Sequence, residues 1–170
     1  DFNKNKEQFE FISESNEDSI LEIVLSNYYN SINNLSSAEI INKVKILAPM
    51  RKGLVGIHNL NREIQNSSNN TNEAFKKSDE VSLYQKDLVI QNSNNYDLDL
   101  MNGEIGQIVR ADEYRIIADF KGEEKEFKEK ERFQLDPAYA LTIHKSQGSE
   151  YETVIIPISK IHQHMLDPRL

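Results

Sequence analysis

Apolar positions at three- and four-residue spacing dominate the first third of the chain. Ile20, Leu21, Val24, Leu25, Tyr28 and Ile32 share one face, which predicts a packed helix over about residues 17–32. Ser15, Asn16, Glu17 and Asp18 supply its cap and the acids of its first turn. Upstream, Phe9 to Ile12 reads as a short strand, and Asn33 to Ser37 ends the helix. Val44 to Ala48 is a run of strand-forming residues stopped by Pro49, hence a buried strand. Met50 to Gly56 is a loop with two glycines and the adjacent cations Arg51 and Lys52. Ile57 to Gln65 is again helical, with Ile57, Leu60 and Ile64 on one face. This strand–loop–helix order resembles half of an α/β nucleotide-handling unit, in which ligands sit where loops leave the carboxyl ends of strands.

Residues 66–80 are polar and read as a linker. The pattern then shortens to strand candidates at 87–91, 105–109, 114–120 and 124–127. Asn102-Gly103 and Lys121-Gly122 are turn signals between them, Asn-Gly suiting a type I′ turn. A small curled β-barrel inserted into an α/β domain is expected. Asp136-Pro137 then has the form of a helix start, with Asp as cap and Pro at the first position. That helix would run from Ala138 to Gln147 and stop at Gly148. Val154-Ile155-Ile156 reads as a buried parallel strand. The division expected is an α/β part over 1–80, the barrel over 81–135, and a second α/β part over 136–170.

Charge narrows the choice of partners. Twenty Lys and Arg stand against 28 Asp and Glu, a net of −8, so bulk positive charge cannot hold nucleic acid and any such contact must be local. Residues 41–65 are the exception: Lys43, Lys45, Arg51, Lys52 and Arg62 face Glu63 alone. Cysteine is absent, which excludes a disulfide framework, a Cys nucleophile and a Cys-ligated zinc. His162 and His164 lack a companion ligand set at the usual spacing for a metal. There is no G-x-S-x-G elbow. No apolar run approaches the ~20 residues of a membrane span and no secretory signal is visible, so no membrane partner and a bacterial cytoplasmic location are expected. The chain opens without Met, which suggests a piece of a longer protein.

The densest chemistry lies in Ala138-Tyr139-Ala140-Leu141-Thr142-Ile143-His144-Lys145-Ser146-Gln147-Gly148-Ser149-Glu150-Tyr151. Hydroxyls, an imidazole, an ammonium and an amide there could donate to phosphates, and Glu150 could accept from a ribose hydroxyl. A capped helix end with a polar face explains the same residues. The stretch resembles motif V of superfamily 1 helicases, closest to the RecD/TraA family. Leu47 to Gly56 followed by Leu60 to Gln65 is similar to that family's motif IV region. Asp87 to Gln91, Asn94 to Asp97 and Asn102 to Gly106 resemble the start of its SH3-like insert.

The resemblance implies the second RecA-like (P-loop NTPase-type) motor domain of an ATP-dependent 5′-to-3′ DNA helicase, with an inserted SH3-like β-barrel. ATP and Mg²⁺ would be its cofactors. Its partners would be single-stranded DNA and a first motor domain, with RecB/RecC-type subunits an option. Motif position places Thr142, His144 and Lys145 on the DNA backbone, with Lys52 as a further DNA contact. It places Gln147, Gly148 and Glu150 toward the nucleotide, with Arg51 on a nucleotide phosphate, where its planar fork can bind two oxygens. Such barrels can sit against DNA, which makes Asn92, Asn95 and Tyr96 candidates, Tyr96 as a stacking ring. Several have a structural alternative: His144 as a packing residue, Ser146 bonded to its own backbone, Glu150 and the Arg51-Lys52 pair as solvated charge, and Tyr96 as a core ring. The chain departs from the pattern in having no G-x-x-x-x-G-K-[ST] phosphate loop and in ending before motif VI. ATP hydrolysis by this chain alone is therefore not expected. A non-catalytic binding module derived from a helicase domain is the alternative.

Overall fold

The computed structural model describes residues 9–68 and 73–159. Helix α1 (Glu17–Ile32) begins at Asn16, whose side chain accepts from the Ser19 amide at 3.0 Å. Its buried face, Ile20, Val24 and Tyr28, is the one the spacing predicts. Residues 9–12 form no strand, and Phe9 and Phe11 are exposed. A second helix, α2 (Ser37–Lys43), follows where only a terminator was expected. Ser36 and Glu39 close a capping box in front of it, a signal present in the sequence.

Strand β1 (Val44–Ala48) is buried along its whole length. Helix α3 (Ile57–Ser67) follows the loop, and its inward residues Leu60 and Ile64 join α1 and β1 in one core. The segment expected as a linker holds β2 (Glu73–Lys76), which pairs antiparallel with β3 (Ser82–Tyr84). Then come β4 (Leu88–Gln91), β5 (Ile105–Ala111), β6 (Arg115–Phe120) and β7 (Glu123–Lys128). Lys121 and Gly122 both have positive φ, 56° and 89°, the type I′ hairpin joining β6 to β7. At Asn102-Gly103 only the glycine does, φ 96°, so that turn is not type I′.

The helix expected from Asp136 is not formed. Leu135–Pro137 is instead strand β8, antiparallel to β4. Ala140–Thr142 is strand β9, parallel to β1, and Ile143–Ser146 is a single 3₁₀ turn. Sheet pairing overrides the capping signal here. Pro137 is tolerated because β8 is the last strand in the order β7-β6-β5-β4-β8, where a missing N–H leaves no ladder bond open. Strand β10 (Thr153–Ile155) is parallel to β1 as expected, but it is an edge strand with Val154 exposed, not a buried one.

Two sheets result, β10-β1-β9 and the five-stranded sheet, beside the β2-β3 ribbon. Both sheets are open, so the expected closed barrel is not formed among the described residues. A seam of Leu47, Leu88, Ile90, Ala138 and Leu141 packs the two sheets together. His162 and His164 lie outside the described residues.

Candidate functional site

Strands β1 and β9 run parallel with Ala48 opposite Thr142, so both end at the same edge of the sheet. The basic loop leaves β1 there, and the 3₁₀ turn leaves β9 beside it. The loop is fixed by its own backbone: Gly56 N–H donates to the Gly53 carbonyl, Ile57 N–H to Met50, and His58 N–H to Arg51, each at 3.1 Å. These bonds use the first free amides of α3 and hold Arg51 in place. A Cβ on Gly56 would stand 2.4 Å from the Lys52 carbonyl oxygen, so only glycine fits.

Strand β9 is held from its other side by Asn61. That buried amide accepts from Ala140 N–H at 2.8 Å and donates to the Ala140 carbonyl at 3.1 Å. One side chain from α3 thus completes the open edge of β9 as a neighbouring strand would. Asn61 also reaches the Pro137 carbonyl at 3.4 Å.

Arg51, His58, Asn61, Glu80, Asp136 and Lys145 line one cleft between the two sheets. Glu80 takes His58 Nδ1 at 3.1 Å and Lys52 Nζ at 3.9 Å. Asp136 faces two ammoniums: Lys77 Nζ at 2.5 Å and Lys145 Nζ at 3.7 Å. Lys145 also donates to the Asn92 side-chain oxygen. Partial burial works upward on the Asp136 carboxyl, but Lys77, Asn92 and Lys145 together carry it below the ordinary Asp value. Burial holds the Lys145 ammonium below the ordinary Lys value; Asp136 opposes that, while Arg51 and Lys77 add to it.

Comparison with known proteins gives the family. Residues 60–120 match the ATP-dependent RecD-like DNA helicase SH3 domain, and residues 137–170 match the UvrD-like helicase C-terminal domain. The ATP-dependent RecD2 DNA helicase of Deinococcus radiodurans is 36% identical over 127 residues, 75% of this chain. The chain belongs to the RecD-like superfamily 1 helicases. It spans 18% of the length of that relative. Pif1 helicase from Bacteroides, in a crystal structure with ADP-AlF3 and ssDNA, superposes with a TM-score of 0.55. That match covers 87% of this chain and 44% of that one at 18% identity, which speaks to the fold alone.

In this RecD-like chain the residues singled out from sequence divide into three groups. Arg51 and Lys145 share the cleft, and Lys52 borders it through Glu80. Thr142 is half-buried at the start of the 3₁₀ turn, and His144 is exposed on it. Ser146 does bond its own backbone, donating to the Ile143 carbonyl at 2.8 Å. Gln147, Gly148 and Glu150 follow as an exposed run. Gly148 has φ 83° with open space around it, so backbone angle rather than room requires glycine there.

The third group sits on the β4-β5 connection. Asn95 is buried: its amide donates to the Gln134 side chain at 3.1 Å and its oxygen accepts from Leu98 N–H at 3.1 Å. Its side chain is therefore committed within the sheet and does not face a ligand. Tyr96 is 79% exposed, not a core ring, and its hydroxyl accepts from the Asn94 amide at 3.4 Å.

His58, Glu80 and Lys77 carried no sequence signal of their own, Asn61 lies in the stretch similar to motif IV but with no role assigned to it, and Asp136 read as a helix cap. Their roles arise from contacts across 20 to 80 residues of chain. No group of three or more His, Cys, Asp or Glu suited to a metal occurs among the described residues. Among them, too, no helix is long and apolar enough to cross a membrane.

Proposed function

We propose that this chain is the second motor-domain portion of an ATP-dependent 5′-to-3′ DNA helicase, binding single-stranded DNA and one flank of the nucleotide. The observation that carries the reading is the shared edge of β1 and β9. It places a loop with Arg51 and Lys52 beside a turn with Thr142, His144 and Lys145, at the carboxyl ends of parallel strands. Thr142, His144, Lys145 and Lys52 supply sequence-independent donors to strand phosphates, and Tyr96 offers an exposed ring for a base.

The residues present fit ATP from one side only. Arg51 is an exposed fork fit for phosphate oxygens, and Gln147, Gly148 and Glu150 form the exposed run beyond the turn. Bound ATP would supply the energy that opens and closes a cleft against a first motor domain. The sequence has no phosphate loop, so the chain alone is expected not to hydrolyse ATP. The names of the relatives support this reading: the Deinococcus protein is an ATP-dependent DNA helicase, and the Bacteroides protein was crystallised with ADP-AlF3 and ssDNA.

The test is fluorescence anisotropy of labelled oligo-dT across a salt series, with the chain and a Thr142→Ala/His144→Ala/Lys145→Ala variant whose fold circular dichroism verifies. Salt-sensitive binding by the chain and its loss in the variant is the expected result. Equal binding by both, or none by either, refutes the placement of the DNA track.

A further inference from the structure

Lys145 is not free in this structure. Its ammonium donates to the Asn92 side chain and stands 3.7 Å from Asp136, and Lys77 holds the same carboxylate from the β2-β3 ribbon at 2.5 Å. Lys77 also donates to the Leu135 carbonyl at 3.1 Å, so it is anchored to β8 whether or not Lys145 stays. Asp136 therefore has a permanent partner and an exchangeable one. The exchangeable one sits on the 3₁₀ turn at the sheet edge, and the residues that follow the turn, Gln147 to Glu150, are exposed. Lys145 keeps about a quarter of its side-chain surface exposed, so it can turn outward without unpacking an apolar core.

We infer that Asp136 and Asn92 are positioning residues that hold Lys145 in reserve, and that a strand phosphate takes the ammonium from them on binding. This rests on the DNA-binding reading above. Asp136 and Asn92 belong to the five-stranded sheet and its β4-β5 connection, whereas Lys145 follows β9 in the three-stranded sheet. Strand binding then breaks one polar tie between the sheets, while the apolar seam of Leu47, Leu88, Ile90, Ala138 and Leu141 remains. Asp136 and Asn92 compete with the phosphate for the ammonium: they weaken the grip and make it depend on how the two sheets sit.

The test is a thermodynamic cycle on oligo-dT affinity at fixed salt. It uses the chain, Asp136→Asn, Asn92→Ala, Lys145→Ala and the doubles of each release variant with Lys145→Ala. Asp136→Asn is isosteric and leaves an acceptor for Lys77; urea unfolding checks that both release variants are folded. Lys145→Ala is expected to weaken binding and lower the salt slope by about one. Asp136→Asn and Asn92→Ala are each expected to tighten binding by on the order of threefold, the scale of a partly exposed ion pair. That gain is expected to vanish when Lys145 is Ala. Release variants that bind like the unmodified chain, while Lys145→Ala weakens binding, overturn the inference and leave the DNA reading standing. A gain that persists without Lys145 is a general charge effect and also overturns it. No salt-sensitive binding by any protein refutes the DNA reading, and this inference with it.

Discussion

Replacing Asn61 tests whether one side chain holds the site-bearing strand in register. Ala140 is fully buried and its N–H has Asn61 Oδ1 as acceptor at 2.8 Å. Asn61→Ala strands that N–H, at about 1–3 kcal/mol for a buried unsatisfied donor. It also removes the 3.1 Å bond to the Ala140 carbonyl, about 1 kcal/mol, while the 3.4 Å contact to Pro137 adds little. The expected loss is about 3 kcal/mol. With a urea m-value of about 2 kcal/mol/M, the midpoint falls by roughly 1.5 M. Asn61→Asp is the sharper variant. It keeps the acceptor for Ala140 N–H but aims a carboxylate at two carbonyls. It is expected to be at least as destabilising at pH 7 and to recover as the pH falls and the carboxyl protonates. Urea unfolding followed by circular dichroism at two pH values decides the matter. An Asn61→Ala loss under about 1 kcal/mol, or an Asp variant as stable as the unmodified chain at pH 7, would refute the edge-completing role.

Asp87 is buried and accepts from Gln65 Nε2 at 2.6 Å, Tyr84 N–H at 2.7 Å and Tyr139 O–H at 2.9 Å. Burial raises its pKa to about 6 in spite of those bonds. The folded state therefore binds the extra proton, and this contribution to stability is full below the unfolded value near 4 and lost as pH rises through 6. Unfolding midpoints should rise on acidification from pH 7 toward 5, and Asp87→Asn should flatten that rise; a slope unchanged in the variant argues against it. Lys45 is fully buried, donates to the Ala138 carbonyl at 3.0 Å, and is lowered by burial to about 8. The unfolded chain binds more protons between pH 8 and about 10.5, so stability should climb across that range, and Lys45→Met should abolish the climb. A climb that survives Lys45→Met assigns it to another group. Finally, a Cβ at Gly106 would lie 2.3 Å from the Asp119 carbonyl oxygen, a backbone atom in the paired strand β6. Gly106→Ala should displace β5 from β6 and cost more than about 2 kcal/mol in the same urea assay, whereas a near-neutral variant would show that the two strands separate easily.

What could be read from the chain, and what could not, follows from the range of the forces involved. Helix α1 and strand β1 are legible because a 3.6-residue apolar period and a short, mostly apolar run stopped by Pro49 are local signals. The type I′ turn at Lys121-Gly122 was legible as a turn for the same reason. Residues 136–147 mislead because two local signals, Asp136-Pro137 and Gly148, point to a helix, while the decision is made by β4 and β1 far back in the chain. Pro137 is the instructive case, since the feature that suits a first helical turn, a missing N–H, suits an edge strand equally well. The same long-range pairing explains the site. The order Thr142, His144, Lys145 marks candidate residues, but only the parallel pairing of β9 with β1 brings their turn beside the loop of Arg51 and Lys52. Lys145 could not have been read as held in reserve, because Asn92 lies 53 residues upstream and Lys77 further still. A motif records which groups a ligand needs; the contacts that restrain those groups before the ligand arrives come from elsewhere in the fold, and for Lys145 they come from Asp136 on β8 and Asn92 on the β4-β5 connection.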